Sequence, residues 1–165
     1  MVVMEEMSEE WNFRLADARD VETLVEFNRA MASETESKDL DLAVLTVGVE
    51  SLLRDARYGF YVVAEYCATA NEREVVGSLM VTYEWSDWRN GVFWWIQSVY
   101  VKPSFRRQGV YRRLYEFIKQ HAAEESNVCG FRLYVEKENR VAQATYEQLG
   151  MTETYYRMFE ELCGR

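Results

Sequence analysis

VKPSFRRQGVYRR, Val101 to Arg113, joins two segments of opposite character. Before it runs FWWIQSVYV, whose β-branched and aromatic residues read as a buried strand over Val92 to Val101. After it runs LYEFIKQHAAEE, whose apolar residues recur at helical spacing and predict a helix from about Gly109 to Glu124. Between the two, Lys102, Arg106, Arg107, Arg112 and Arg113 gather around one glycine. A helix N-terminus exposes about four unpaired backbone N–H groups and carries roughly half a positive charge, so a glycine-containing turn that opens a helix is suited to an anion. The amides from Gln108 to Tyr111 can converge on a pyrophosphate, with Lys102, Arg106 and Arg107 adding charge at the rim. No GKS or GKT follows, so the turn is not a P-loop, and GxGxxG is absent. The competing reading is a set of solvated arginines.

Working outward, a short strand at Phe131 to Glu136 follows this helix, so strand, helix and strand form a parallel crossover. A helix at Asn139 to Leu149 and a last strand at Glu153 to Phe159 complete the C-terminal part. Upstream, Asn12 to Ala16 reads as a first strand, with Asp17 or Asp20 capping the helix after it. The polar run SETESKD interrupts that helix, and a second begins near Asp39 or Asp41. Gly59 to Tyr66 and Val75 to Trp85 form a hairpin through the turn ATANERE, and Asp87 to Gly91 turns the chain into the Val92 strand. The prediction is an α/β fold whose central mixed sheet is antiparallel in its first half and flanked by about four helices.

The chain has 165 residues, 48% hydrophobic and 15% aromatic, enough for one core, so residues 1–165 are expected to be a single domain. No apolar run of about 18 residues occurs and the N-terminus is acidic, which predicts a cytoplasmic protein without a membrane partner. Three cysteines without CxxC spacing and one histidine give no metal-ligand set, and the cysteines read as reduced thiols. Residues 1–50 carry 13 acidic and 4 basic side chains and the remainder 15 of each, so the net charge of −9 lies in the first 50. That field disfavours nucleic acid and favours cations. Residues 1–10, with Glu5, Glu6, Glu9 and Glu10, read as a solvated, flexible acidic tail. His121 falls on the packing face of its helix and reads as structural.

The sequence resembles the GNAT N-acetyltransferases, in their bacterial-type small-molecule branch. In that family a strand leads to R/Q-x-x-G-x-G/A, whose amides hold the pyrophosphate of acetyl-CoA; Arg106, Arg107, Gln108, Gly109, Val110 and Tyr111 stand at those positions. NRVAQATYEQLGM, Asn139 to Met151, is similar to the second signature, N-x-x-A-x-x-x-Y-x-x-x-G-F. The likeness covers nearly the whole chain, and Tyr111 departs from it where a small residue is usual. The resemblance implies the acyl-CoA N-acyltransferase fold, acetyl-CoA as cofactor, and transfer to an amine in a ternary complex. It assigns Val99, Tyr100, Val101, Arg112, Asn139 and Tyr146 to the cofactor alongside Arg106 to Tyr111. It makes the Val99 N–H the group that polarises the carbonyl, and Tyr146 the proton donor to coenzyme A thiolate. Polyamine acetyltransferases of the family carry a Glu-Asp pair where this chain has Gln97 and Ser98, so the first candidate for general base is Glu84, with Asp87 behind it. Family analogy places the acceptor between ASETESKDLD and EWSDWRN, where Glu34, Glu36, Glu84 and Asp87 supply charge and Trp85 an aromatic face, which suits an ammonium group. A small cationic amine is therefore the expected acceptor. Two alternatives stay open: a catalytically weak acyl-CoA-binding regulatory module, and an acetyltransferase of peptide or protein amino groups. A homodimer is expected by the same resemblance, with TYYRMF as a contact segment.

Overall fold

The computed structural model describes residues 10–69 and 72–164, so the acidic tail reading of residues 1–10 and the tip of the ATANERE turn fall largely outside it. The residues cluster into two compact units, Met1–Leu133 and Tyr134–Arg165.

The first unit is built on a five-stranded mixed sheet of order β1-β2-β3-β4-β5. Its strands are β1 (Glu10–Leu15), β2 (Gly59–Thr69), β3 (Glu72–Ser86), β4 (Gly91–Val101) and β5 (Val128–Arg132). The first four run antiparallel to their neighbours, and β5 lies parallel to β4 after the crossover through α3 (Val110–Ala123). Helices α1 (Val21–Glu36) and α2 (Leu42–Arg54) fill the connection from β1 to β2. This is the α/β mixed sheet that the pattern of alternating apolar runs predicts.

Side chains alternate across a strand, so each strand serves two layers. Tyr61 and Val63 of β2 pack with Leu24 and Val25 of α1 and Val49 and Leu52 of α2, one buried layer. Phe60 points the other way, onto Trp94 (ring centroids 5.1 Å) and His121 of α3 (5.5 Å). Leu114 and Ile118 of α3 are wholly buried, each contributing about 2 kcal/mol of apolar burial. His121 is thus a packing residue of α3.

Capping explains where the helices start. Asp17 accepts from the Arg19 N–H while Asp20 accepts from the Asp17 N–H, a reciprocal box around a single 3₁₀ turn that leads into α1. Asp41 accepts from the N–H groups of Ala43 and Val44 and opens α2. The run SETESKD ends α1, but only after its first four residues: the helix continues to Glu36 and stops at Ser37 in the left-handed region (φ 52°). Thr35 satisfies its hydroxyl on the Met31 carbonyl, and the other polar side chains lie on the exposed face, where they cost the helix little.

The β5 ladder begins three residues before the predicted strand, because Val92 pairs with Val128 and the Val92 N–H donates to the Asn127 carbonyl at 2.8 Å. Pairing with β4 sets that register, not the aromatic run itself.

The second unit contains α4 (Arg140–Gln148). Asn139 caps its start by accepting from the Ala142 N–H at 3.1 Å. Its end is a Schellman motif: Gly150, at φ 89°, donates to the Glu147 carbonyl and Met151 donates to that of Tyr146. The asparagine and glycine of the second signature are therefore the two ends of this helix. The strand predicted over Glu153 to Phe159 is not formed; the segment has no ladder, and Tyr155 and Phe159 are about nine-tenths exposed. Strand propensity measures fit to a pleated, half-buried surface, and aromatic residues alone do not supply a partner.

Candidate active site

The site in the first unit begins with a fault in β4. Ser78 faces Tyr100 and Met80 faces Gln97, so Ser98 and Val99 together oppose Leu79 alone. This is a β-bulge, and Ser98 takes a left-handed φ of 48° within it. Beneath it lies a buried polar group that sequence reading did not assign: Tyr61 accepts from Asn28 Nδ2 at 3.2 Å and hydrogen-bonds the Ser98 side chain. Burial pushes the Tyr61 phenol up. A lone asparagine on the apolar face of α1 was the available signal. Beyond the bulge, β4 has a second opening. The ladder to β5 stops at Trp95 and Arg132, so from Ile96 to Val101 that edge of β4 faces no strand among the described residues.

The open edge runs directly into the basic turn. Pro103–Phe105 make one 3₁₀ turn, Arg107 adopts φ 65°, and Gly109 caps α3 at φ 76° with no side chain closing the helix end. A Cβ added at Gly109 would have no neighbour within 4 Å, so the loop is open over the first amides of α3. Val110 is buried and pins the helix start to the sheet. Tyr111 is half-buried, and its ring stacks along the helix on Tyr115 (6.3 Å, 13°), while its backbone stays in the first turn.

The cations divide into two groups. Lys102 pairs with Glu74 at 2.6 Å, Arg113 lies over the Trp11 ring at 5.1 Å, and Gln108 donates to the Ser104 carbonyl. Arg106 is held three ways: Nε donates to the Val101 carbonyl (2.8 Å), Nη2 to Glu34 (2.7 Å), and the guanidinium sits over Tyr100 (5.5 Å). The sequence expectation that Lys102 and Arg106 face an anion is thus met instead by internal pairs. Arg107 and Arg112 are exposed and have no ion-pair partner among the described residues.

The expected acidic pocket is not assembled around one point. Glu34 reaches Arg106 and the Tyr100 hydroxyl (3.1 Å) at the C-terminal end of β4, and Glu36 pairs with Lys38. Glu84 stands opposite Phe93, near the other end of that strand, roughly 20 Å away along it. There Arg132 donates to Glu84 Oε1 at 2.6 Å, the Trp95 indole donates to Oε2, and the Arg132 guanidinium lies 3.7 Å from the Phe93 ring centroid. Asp87 accepts from the Trp88 N–H and shapes the hairpin turn. Trp85 neighbours Glu84 in sequence but projects from the opposite face, 60% exposed.

In the second unit Tyr146 is half-buried in the last turn of α4, and burial pushes its phenol above the ordinary tyrosine value. It therefore keeps its proton at neutral pH. Among the described residues no cluster of histidine, cysteine or carboxylate side chains could hold a metal, and no helix is long and apolar enough to cross a membrane.

Residues 15–151 match the sequence model of the Acetyltransferase (GNAT) family. The chain is also similar to the crystal structure of a possible acetyltransferase from Clostridium difficile 630, at 48% identity and TM-score 0.83, covering 94% of this chain and 99% of that one. A predicted acetyltransferase with acetyl-CoA from Clostridium acetobutylicum has TM-score 0.73 at 17% identity, covering 92% and 96%. The aminoglycoside N-acetyltransferase AAC(6')-Iy in complex with CoA has TM-score 0.70 at 16% identity, covering 96% and 99%. These last two share the fold. No curated protein sequence matches the chain significantly. With an uncapped helix N-terminus open at Gly109, a bulged strand leading into it, and the family match over most of the length, the chain belongs to the GNAT family and is an acetyl-CoA-dependent N-acetyltransferase.

Proposed function

We propose that the protein transfers the acetyl group directly to a primary amine of a small, cationic molecule. The observation that carries this reading is the continuity of β4, whose unpaired edge from Ile96 to Val101 contains the bulge and ends in the open turn at Gly109. Acetyl-CoA supplies the activated acyl thioester. Val99, Tyr100 and Val101 offer strand-like backbone pairing to the pantetheine arm, and the amides from Gln108 to Arg112, with the Arg107 and Arg112 side chains, hold the pyrophosphate. The Val99 N–H, in the bulge, donates to the thioester oxygen as negative charge develops on it.

The amine nitrogen attacks the carbonyl carbon, the carbon–sulfur bond breaks, and the Tyr146 phenol gives its proton to the departing thiolate. Both Glu84 oxygens are engaged by Arg132 and Trp95, so we draw the amine as its free base, with its surplus proton released to water and a proton from water restoring the Tyr146 phenol. Asn139 acts through α4, whose start it caps. Asp87, Trp85 and the acidic excess of the first 50 residues favour a cationic acceptor. The aminoglycoside N-acetyltransferase of the same fold makes polyamino sugars an apt first set. The exposed Tyr155 and Phe159 are our proposed contact segment for a homodimer, which sedimentation would detect.

The test is coenzyme A release with acetyl-CoA and a panel of aminoglycosides, polyamines, amino acids and peptides. Tyr146→Phe should lower kcat about 100-fold while coenzyme A binding persists. Undiminished turnover would remove Tyr146 as the acid.

A further inference from the structure

The side chain of Glu34 belongs, by its contacts, to the turn between β4 and α3. It projects from the last turn of α1, 66 residues from Tyr100 and 72 from Arg106 in sequence, and touches both. One oxygen accepts from Arg106 Nη2 at 2.7 Å and the other from the Tyr100 hydroxyl at 3.1 Å, so both oxygens are engaged at the turn. Arg106 in turn ties its Nε to the Val101 carbonyl at the end of β4 and stacks over the Tyr100 ring. Its guanidinium is therefore a fixed strut between the end of the strand, the end of α1 and the start of the loop.

What the strut restrains is a backbone that is hard to hold. Arg107 follows immediately at φ 65°, a region that is unfavourable for a non-glycine residue and persists only where the surroundings over-determine it. Two residues later Gly109 takes φ 76° and turns the first amides of α3 outward. Arg106 is the side-chain anchor immediately before Arg107, and Gln108, on the Ser104 carbonyl, is the one between Arg107 and Gly109.

We infer that Glu34 is a positioning residue for the pyrophosphate loop, acting through Arg106, and not a ligand of the acceptor amine. The inference rests on the reading of that turn as the pyrophosphate site. Removing the Glu34 carboxylate takes away one of the three contacts of Arg106, leaving the Val101 carbonyl and the Tyr100 ring, and loosens its hold on Arg107, so the amides around Gly109 must be ordered further when the cofactor binds. The loss then appears in the donor's affinity and only for a donor that carries the pyrophosphate.

The experiment compares acetyl-CoA with S-acetylpantetheine, which has the thioester and pantetheine arm but no pyrophosphate. For Glu34→Ala the KM for acetyl-CoA should rise roughly fivefold, while the KM for S-acetylpantetheine and for the amine stay within twofold. Glu34→Gln, which keeps one acceptor oxygen for Arg106, should recover part of the loss. An equal change with both donors, or a change confined to the amine, would overturn the positioning role. Should the unmodified enzyme fail to prefer acetyl-CoA over S-acetylpantetheine, the pyrophosphate reading of the turn itself would fall, a result separable from the first.

Discussion

The two ends of β4 use opposite means. At the C-terminal end the backbone departs from the strand: Ser98, Arg107 and Gly109 all take positive φ, the ladder is open on one side, and most side chains there are tied away from the turn. At the hairpin end β4 is paired on both sides, with one register shift on the β5 side between Val92 and Phe93, and the chemistry lies in side chains that satisfy one another, Glu84 with Arg132 and Trp95. One end offers uncommitted backbone amides. The other offers committed carboxylates. Amides aimed by the fold are suited to a large, constant ligand, and this is the end at which we propose that the cofactor is held. Side-chain pairs are easily exchanged, and the hairpin end is the natural place for differences in acceptor.

The sharpest way to break this contrast is at Gly109. A β-branched residue at φ 76° is a backbone outlier that costs about 1–3 kcal/mol, although there is space for its atoms. Gly109→Val should therefore weaken acetyl-CoA about tenfold, by calorimetry or by KM, with a smaller effect on S-acetylpantetheine. Equal affinity for acetyl-CoA in the variant would mean that the backbone conformation of the turn does not hold the cofactor.

At the hairpin end the expected effects are smaller and of another kind. Glu84→Ala removes a partner from Arg132 in a half-exposed pair, which costs about 1 kcal/mol or less, read as a few degrees in Tm. Turnover at saturating amine should stay within threefold across the pH range. If kcat instead fell 100-fold, with loss of the acid limb of the pH–rate profile, Glu84 would be the general base after all.

The same contrast explains what the sequence disclosed. Signals carried by the backbone were legible, because they are local. The turn at Gly109, the Asp41 cap of α2, and the Asn139 and Gly150 ends of α4 each lie within a few residues of what they control. Signals carried by pairing were not. Glu34 with Arg106 and Glu84 with Arg132 are 72 and 48 residues apart, and their carboxylates look like free acidic side chains until the register is known. The bulge at Ser98 and Val99 was not legible, since one surplus residue leaves no mark in an alternating apolar run. The expected strand at Glu153 to Phe159 failed for the converse reason: its residues suit a sheet, and a partner is not a property of residues.

A charge cluster away from β4 sharpens the comparison by showing what purely structural pairing looks like. Glu65 on β2 is buried, and burial alone would push its carboxyl up; hydrogen bonds from Arg14 (2.9 Å) and Asn12 (2.7 Å) outweigh that and hold it below the usual value. The folded state therefore binds this proton less readily than the unfolded chain. Its contribution to stability is complete above the unfolded glutamate value of about 4.3 and is lost as the pH falls through the lower folded value. Asp20 shares the same guanidinium at 2.7 Å, so Arg14 keeps one partner when Glu65 is neutralised. Glu65→Gln should then lower Tm at pH 7, flatten its decline below about pH 4, and leave both acetyl-CoA and amine KM unchanged. If Glu84→Gln gives that same pattern, lower Tm with intact kinetics, the hairpin pair is scaffold like the Arg14 cluster. A shift in amine KM without loss of Tm would instead make Glu84 of β3 and Arg132 of β5 the pair beside β4 that selects the acceptor.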